Sequence, residues 1–132
     1  MKSRALHVVC ICTLAAAWIA CGAGHPTITR ITVGPQTATS TVSPPTDVQF
    51  TATATFTNNS TRELTVADGL SWSSSNTGVA TVSTNGSATC VSPGQATITA
   101  TAPADLNLTV NNGVNNTSQN VTGTATLTCN PM

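Results

Sequence analysis

The chain has 132 residues, of which 6% are charged and 39% hydrophobic, and its formal net charge is zero. Ordinary soluble domains carry about a quarter charged residues. Only Arg30 and Arg62 are basic beyond the first four residues, so there is no basic face to neutralise phosphates and nucleic acid is excluded as a partner. Disorder is also disfavoured, because it goes with low hydrophobicity and high net charge. Threonine supplies about a fifth of the chain, with valine beside it. Both are β-branched and fit a pleated, half-buried surface.

The N-terminus begins with Lys2 and Arg4 and then runs apolar from Val8 to Ala20. A basic start followed by about thirteen apolar residues is the pattern of a secretory signal. The run is shorter than the roughly 20 residues a membrane-spanning helix needs. Its end, Ala20-Cys21-Gly22, resembles a bacterial lipoprotein box, although Trp18 stands where that box prefers an aliphatic residue. The resemblance implies residues 1–20 as a lipoprotein-type signal and Cys21 as the lipidated new N-terminus. Residues 21–26 would then be a short tether. Gly22 in place of aspartate implies sorting to the outer membrane of a Gram-negative cell. The alternative is ordinary cleavage near Ala23, which leaves a secreted domain.

About 107 residues follow, enough to fold alone. Strands are read from alternation of period two. ITRITV (28–33) is the first and ATSTV (38–42) the second. VQFTATATF puts Val48, Phe50, Ala52, Ala54 and Phe56 on one face and polar residues on the other. A polar connection, NNSTRELTVADG, leads to LSW, with Leu70 and Trp72 on one side. VATVS, containing Val82, and SATCV flank Asn85-Gly86, the strongest short hairpin signal, in which both turn residues would take positive φ. QATITATA places Ala96, Ile98, Ala100 and Ala102 inward, and VTGTATLTC places Val121, Ala125, Leu127 and Cys129 inward. Seven or eight short strands at this spacing, with no helical period, predict an all-β sandwich over residues 27–132. Phe50, Phe56, Trp72, Val82, Ile98 and Leu127 are its expected core, with Trp72 packed between the two sheets.

Of five cysteines, Cys10 and Cys12 lie in the signal and Cys21 at its end. Cys90 and Cys129 remain, an even pair for which a disulfide is the default in an exported domain, with two free buried thiols as the alternative. Catalysis needs a positioned base, and the only histidine after the signal is His25 in the tether. The serines of SWSSSN have no histidine partner, and Asp47, Glu63, Asp68 and Asp105 are scattered. No enzyme, metal site or cofactor is expected.

Five blocks together resemble a known family: ITRITVGP, FTATATFTNNSTRELT, LSWSSSN, VATVSTNG and PGQATITAT. In this order and spacing they are similar to the bacterial immunoglobulin-like domain, group 2. The resemblance implies an immunoglobulin-like Greek-key sandwich and a non-catalytic module that binds or spaces at a cell surface. In that topology Cys90 and Cys129 would fall at the same end of the sandwich. The chain departs from the family at residues 103–120, where a long asparagine-rich loop replaces a short turn. Leu106, Asn111, Asn112, Asn115 and Asn116 are its candidate contact residues. The expected partner is a surface protein or a polysaccharide, and the expected place is the cell envelope. A structural spacer with no ligand of its own is the alternative.

Overall fold

A computed structural model describes residues 24–106 and 118–132, and nearly every element in it is a strand. In chain order these are β1 (Ile28–Gly34), β2 (Thr37–Thr41), β3 (Asp47–Gln49), β4 (Thr51–Phe56), β5 (Thr61–Glu63), β6 (Ser71–Ser74), β7 (Ala80–Val82), β8 (Ser87–Cys90), β9 (Gly94–Pro103) and β10 (Asn120–Asn130). Among the described residues there are ten strands, not seven or eight, for two reasons. The run VQFTATATF divides at Phe50 into β3 and β4, and the polar connection contributes β5 and a 3-10 turn at Val66–Asp68.

The strands form an immunoglobulin-like sandwich. One layer has the order β2-β10-β9-β6. Here β2 runs parallel to β10, while β10–β9 and β9–β6 are antiparallel. The other layer is made of two three-stranded sheets, β1-β4-β5 and β3-β8-β7, that meet where the chain passes from β3 into β4. Inward alternation dictates the core. Phe50, Ile98, Leu127, Val33 and Cys129 are its largest fully buried side chains, and Phe56 is also buried. Around them lie Ala52, Ala54, Ala80, Ala88, Ala96, Ala100, Ala102 and Ala125, all buried. Small inner side chains let the layers approach closely. Gly123 on β10 is the extreme case: a Cβ there would lie 2.5 Å from the Ile31 carbonyl oxygen on β1, the close backbone approach that favours glycine in a strand.

Two expected core residues are only half-buried. Trp72 packs against the core but stays partly exposed. It sits on β6, the edge strand of its layer, under the point where the opposite layer splits. On one side of the long strand, Phe50 N donates to the Gly86 carbonyl at 2.8 Å; two residues later, Ala52 O accepts from Leu64 N at 2.8 Å. The partner strand changes from β8 to β5 between these bonds, which opens a gap with Trp72 beneath it. Val82 is half-buried because it ends β7, a three-residue edge strand with a neighbour on one side alone.

The Asn85-Gly86 turn also differs from expectation. Only Gly86 has positive φ, at 82°. Ser83 N donates to Ser87 O at 2.8 Å and Gly86 N to Ser83 O at 3.0 Å, so three residues form the loop and glycine takes the left-handed position. A Cβ on Gly86 would collide with the Phe50 carbonyl and lie 3.0 Å from Cε2 of Trp72. Tertiary contact with the indole and strand 47–56 therefore selects this turn over the tighter one.

Candidate functional site

The 103–120 loop springs from a rigid stem. The β9–β10 ladder pairs residues from Gly94–Cys129 up to Pro103–Asn120. It is extended by Ala104 N donating to Gln119 O at 2.8 Å and by Asp105 N donating to Ser118 Oγ at 3.4 Å. Leu106 is half-buried and packs against the core. Asn111, Asn112, Asn115 and Asn116 lie outside the described residues, as does Cys21.

The first strand is tied to the same end. Ile28 N donates to Ala104 O at 2.7 Å, and Thr57 N donates to Thr27 O at 2.9 Å. The N-terminal segment and the loop thus leave the sandwich side by side. Between them lies a hollow of about 380 Å³ lined by Pro26, Phe56, Ser60, Thr61, Arg62 and Leu106. Sequence reasoning passed over Ser60, Thr61 and Arg62 as connection. Arg62 is one of two arginines beyond the first four residues, a rarity that could have marked it.

Charge at this end is organised by Asp68. Arg62 donates to its two carboxylate oxygens at 2.8 and 3.2 Å. The Thr65 amide and hydroxyl donate to Oδ2 at 2.9 and 3.0 Å, capping the 3-10 turn. The hydrogen bonds from Arg62 are the main reason the Asp68 carboxyl titrates below its ordinary range; partial burial opposes them and Thr65 adds to them. Arg62 keeps half of its side chain exposed and Asp68 little of its own.

The opposite end is closed covalently. Cys90, ending β8, and Cys129, near the end of β10, are joined by a disulfide with Cα atoms 5.6 Å apart. The bridge ties the two layers together at the end away from the loop. Among the described residues, no three of His, Cys, Asp and Glu gather as a metal ion would require, and no helix is long and apolar enough to cross a membrane.

A search of curated proteins finds no match to this chain. The family model for the bacterial Ig-like domain (group 2) matches residues 27–128, which takes in β1 to β9, the stem of the loop and β10 as far as Thr128. The chain belongs to the bacterial Ig-like domain (group 2) family.

Proposed function

We propose that this protein is an exported, non-catalytic binding module of the cell envelope, held to the outer membrane by a lipid on Cys21. Its partner is a surface protein or a polysaccharide. Family membership supports a surface, adhesion-type module. The observation that carries the binding role is the stem: a long, asparagine-rich loop raised on a continuous ladder and clamped by Ala104–Gln119 is presented by a rigid scaffold.

A second reading has an observation of its own. The tether and the loop leave from one end. Six tether residues reach at most about 20 Å, so an anchor at Cys21 would turn the loop toward the membrane. That arrangement suits a structural envelope component that seats on its own membrane.

Two measurements test these readings. The intact mass of the protein from membranes, with and without Cys21→Ala, should show a diacylglyceryl increment on a chain starting at Cys21 that the variant lacks. An unmodified chain in the medium would leave a secreted domain and remove the anchor. Replacing residues 107–117 with a short glycine-containing turn leaves the Ala104–Gln119 clamp in place. Loss of binding to cells or matrix would support the contact loop; unchanged binding would exclude it.

A further inference from the structure

The gap above Trp72 is a slot with a volume of about 170 Å³. That is the scale of one six-membered ring, since an engineered 150 Å³ cavity accommodates benzene. Its apolar floor includes the half-buried indole of Trp72. Polar residues line it from three separate elements. Gln49 comes from β3, Glu63 from β5, and Thr84 and Asn85 from the β7–β8 loop.

The rim groups are set but largely unspent. Gln49 Nε2 donates to the Phe50 carbonyl at 2.9 Å and the Asn85 carbonyl at 2.7 Å, which fixes the amide and leaves its own oxygen open to accept. Among the described residues, the side chains of Glu63, Thr84 and Asn85 make no hydrogen bond or ion pair. An apolar floor with several convergent polar groups is the usual composition of a small-molecule site.

We propose that this slot binds a single neutral sugar ring, with its apolar face toward Trp72 and its hydroxyls on Gln49, Glu63 and Asn85. The chemistry selects that class. A pyranose offers one apolar C–H face and a circumference of hydroxyls that both donate and accept. The rim presents carboxylate and amide acceptors together with amide and hydroxyl donors. An anionic ligand would meet Glu63 with no lysine or arginine on the rim to offset it. A quaternary ammonium would gain from Trp72 and Glu63 but leave the Gln49 side-chain oxygen and the Asn85 amide unused. The slot opens at the Thr51 end of β4, and the stem of the loop stands at the Phe56 end. This binding depends neither on residues 107–117 nor on an anchor at Cys21, so the loop replacement and the slot variants report on different readings.

The test uses the full chain carrying Trp18→Phe, which leaves Trp72 as the sole indole. Methyl glycosides of glucose, galactose and N-acetylglucosamine are titrated while the Trp72 fluorescence and indole N–H resonance are followed. A saturable shift with at least one of them is expected, in the millimolar range or tighter. Glu63→Gln and Asn85→Ala should each weaken it roughly fivefold or more, as loss of a hydrogen bond at the site implies. Circular dichroism checks that both variants keep the fold, since both side chains are exposed. No shift with any glycoside overturns the proposal. So does a shift unchanged in both variants, or one produced instead by tetramethylammonium or a proline-rich peptide.

Discussion

At the scale of single residues, three positions differ in what a substitution would cost. Gly86 combines a φ of 82° with contact against Phe50 and Trp72. Gly86→Ala should therefore cost about 2–3 kcal/mol, from left-handed strain and the displaced indole together. Gly78 is a control: its φ is ordinary, and an added Cβ would meet only the Asn76 side chain, at 3.2 Å. Gly78→Ala should stay within about 0.5 kcal/mol. Urea unfolding of both variants checks the contrast. Asp68 is the third position. Its carboxyl titrates lower in the folded chain than in the unfolded one, chiefly through Arg62. Its stabilisation is therefore fully present above the unfolded value of about 3.9 and is lost as pH falls through the lower folded value. Because Arg62 is half exposed and solvent screens the pair, the effect at neutral pH should be below about 1 kcal/mol. Asp68→Asn should remove that much stability near pH 7 and flatten the acid limb of a stability–pH profile. An unaltered acid limb would mean that Asp68 does not contribute.

At the scale of elements, threonine does for the outer faces what alanine does for the inner ones. Outward threonines on β9 and β10 stand opposite one another: Thr101 by Thr122, Thr99 by Thr124 and Thr97 by Thr126. Thr37 on β2 continues the last of these rows. Such cross-strand pairs contribute about 0.2–1 kcal/mol each relative to alanine pairs. A double-mutant cycle on Thr99→Ala and Thr124→Ala should show coupling in that range; additive losses would mean the pair does not interact. Inside, Ile98 and Leu127 are fully buried among alanines. Leu127→Ala should cost about 2–5 kcal/mol, a loss readable by thermal or urea unfolding.

At the scale of the whole molecule, the disulfide and the loop define two opposite ends. Cys90 and Cys129 are 39 residues apart in sequence, so closing that loop stabilises the fold by about 4 kcal/mol in the chain-entropy view. The Cys90→Ala, Cys129→Ala double variant should unfold at a markedly lower urea concentration and gain a steeper denaturant slope, because its unfolded chain expands. A midpoint within error of the parent would show that the layers hold without the bridge. At the other end, the N-terminal segment and the stem of the loop leave side by side, so an anchor at Cys21 would decide what the loop can touch.

Much of this was legible in the residues. Alternation in VQFTATATF, TITATA and VTGTATLTC fixes which side chains face inward, because side-chain direction in a strand depends only on local backbone geometry. The order of the motif blocks identifies the family, and the asparagine-rich insertion marks the loop. Three features were not legible. Where strand 47–56 changes partner, why Trp72 is therefore left half-buried beneath a slot, and which end the loop's stem shares with the N-terminal segment all depend on pairings between residues distant in sequence. Local pattern says which face a residue presents. Only hydrogen bonding between distant strands decides what that face meets.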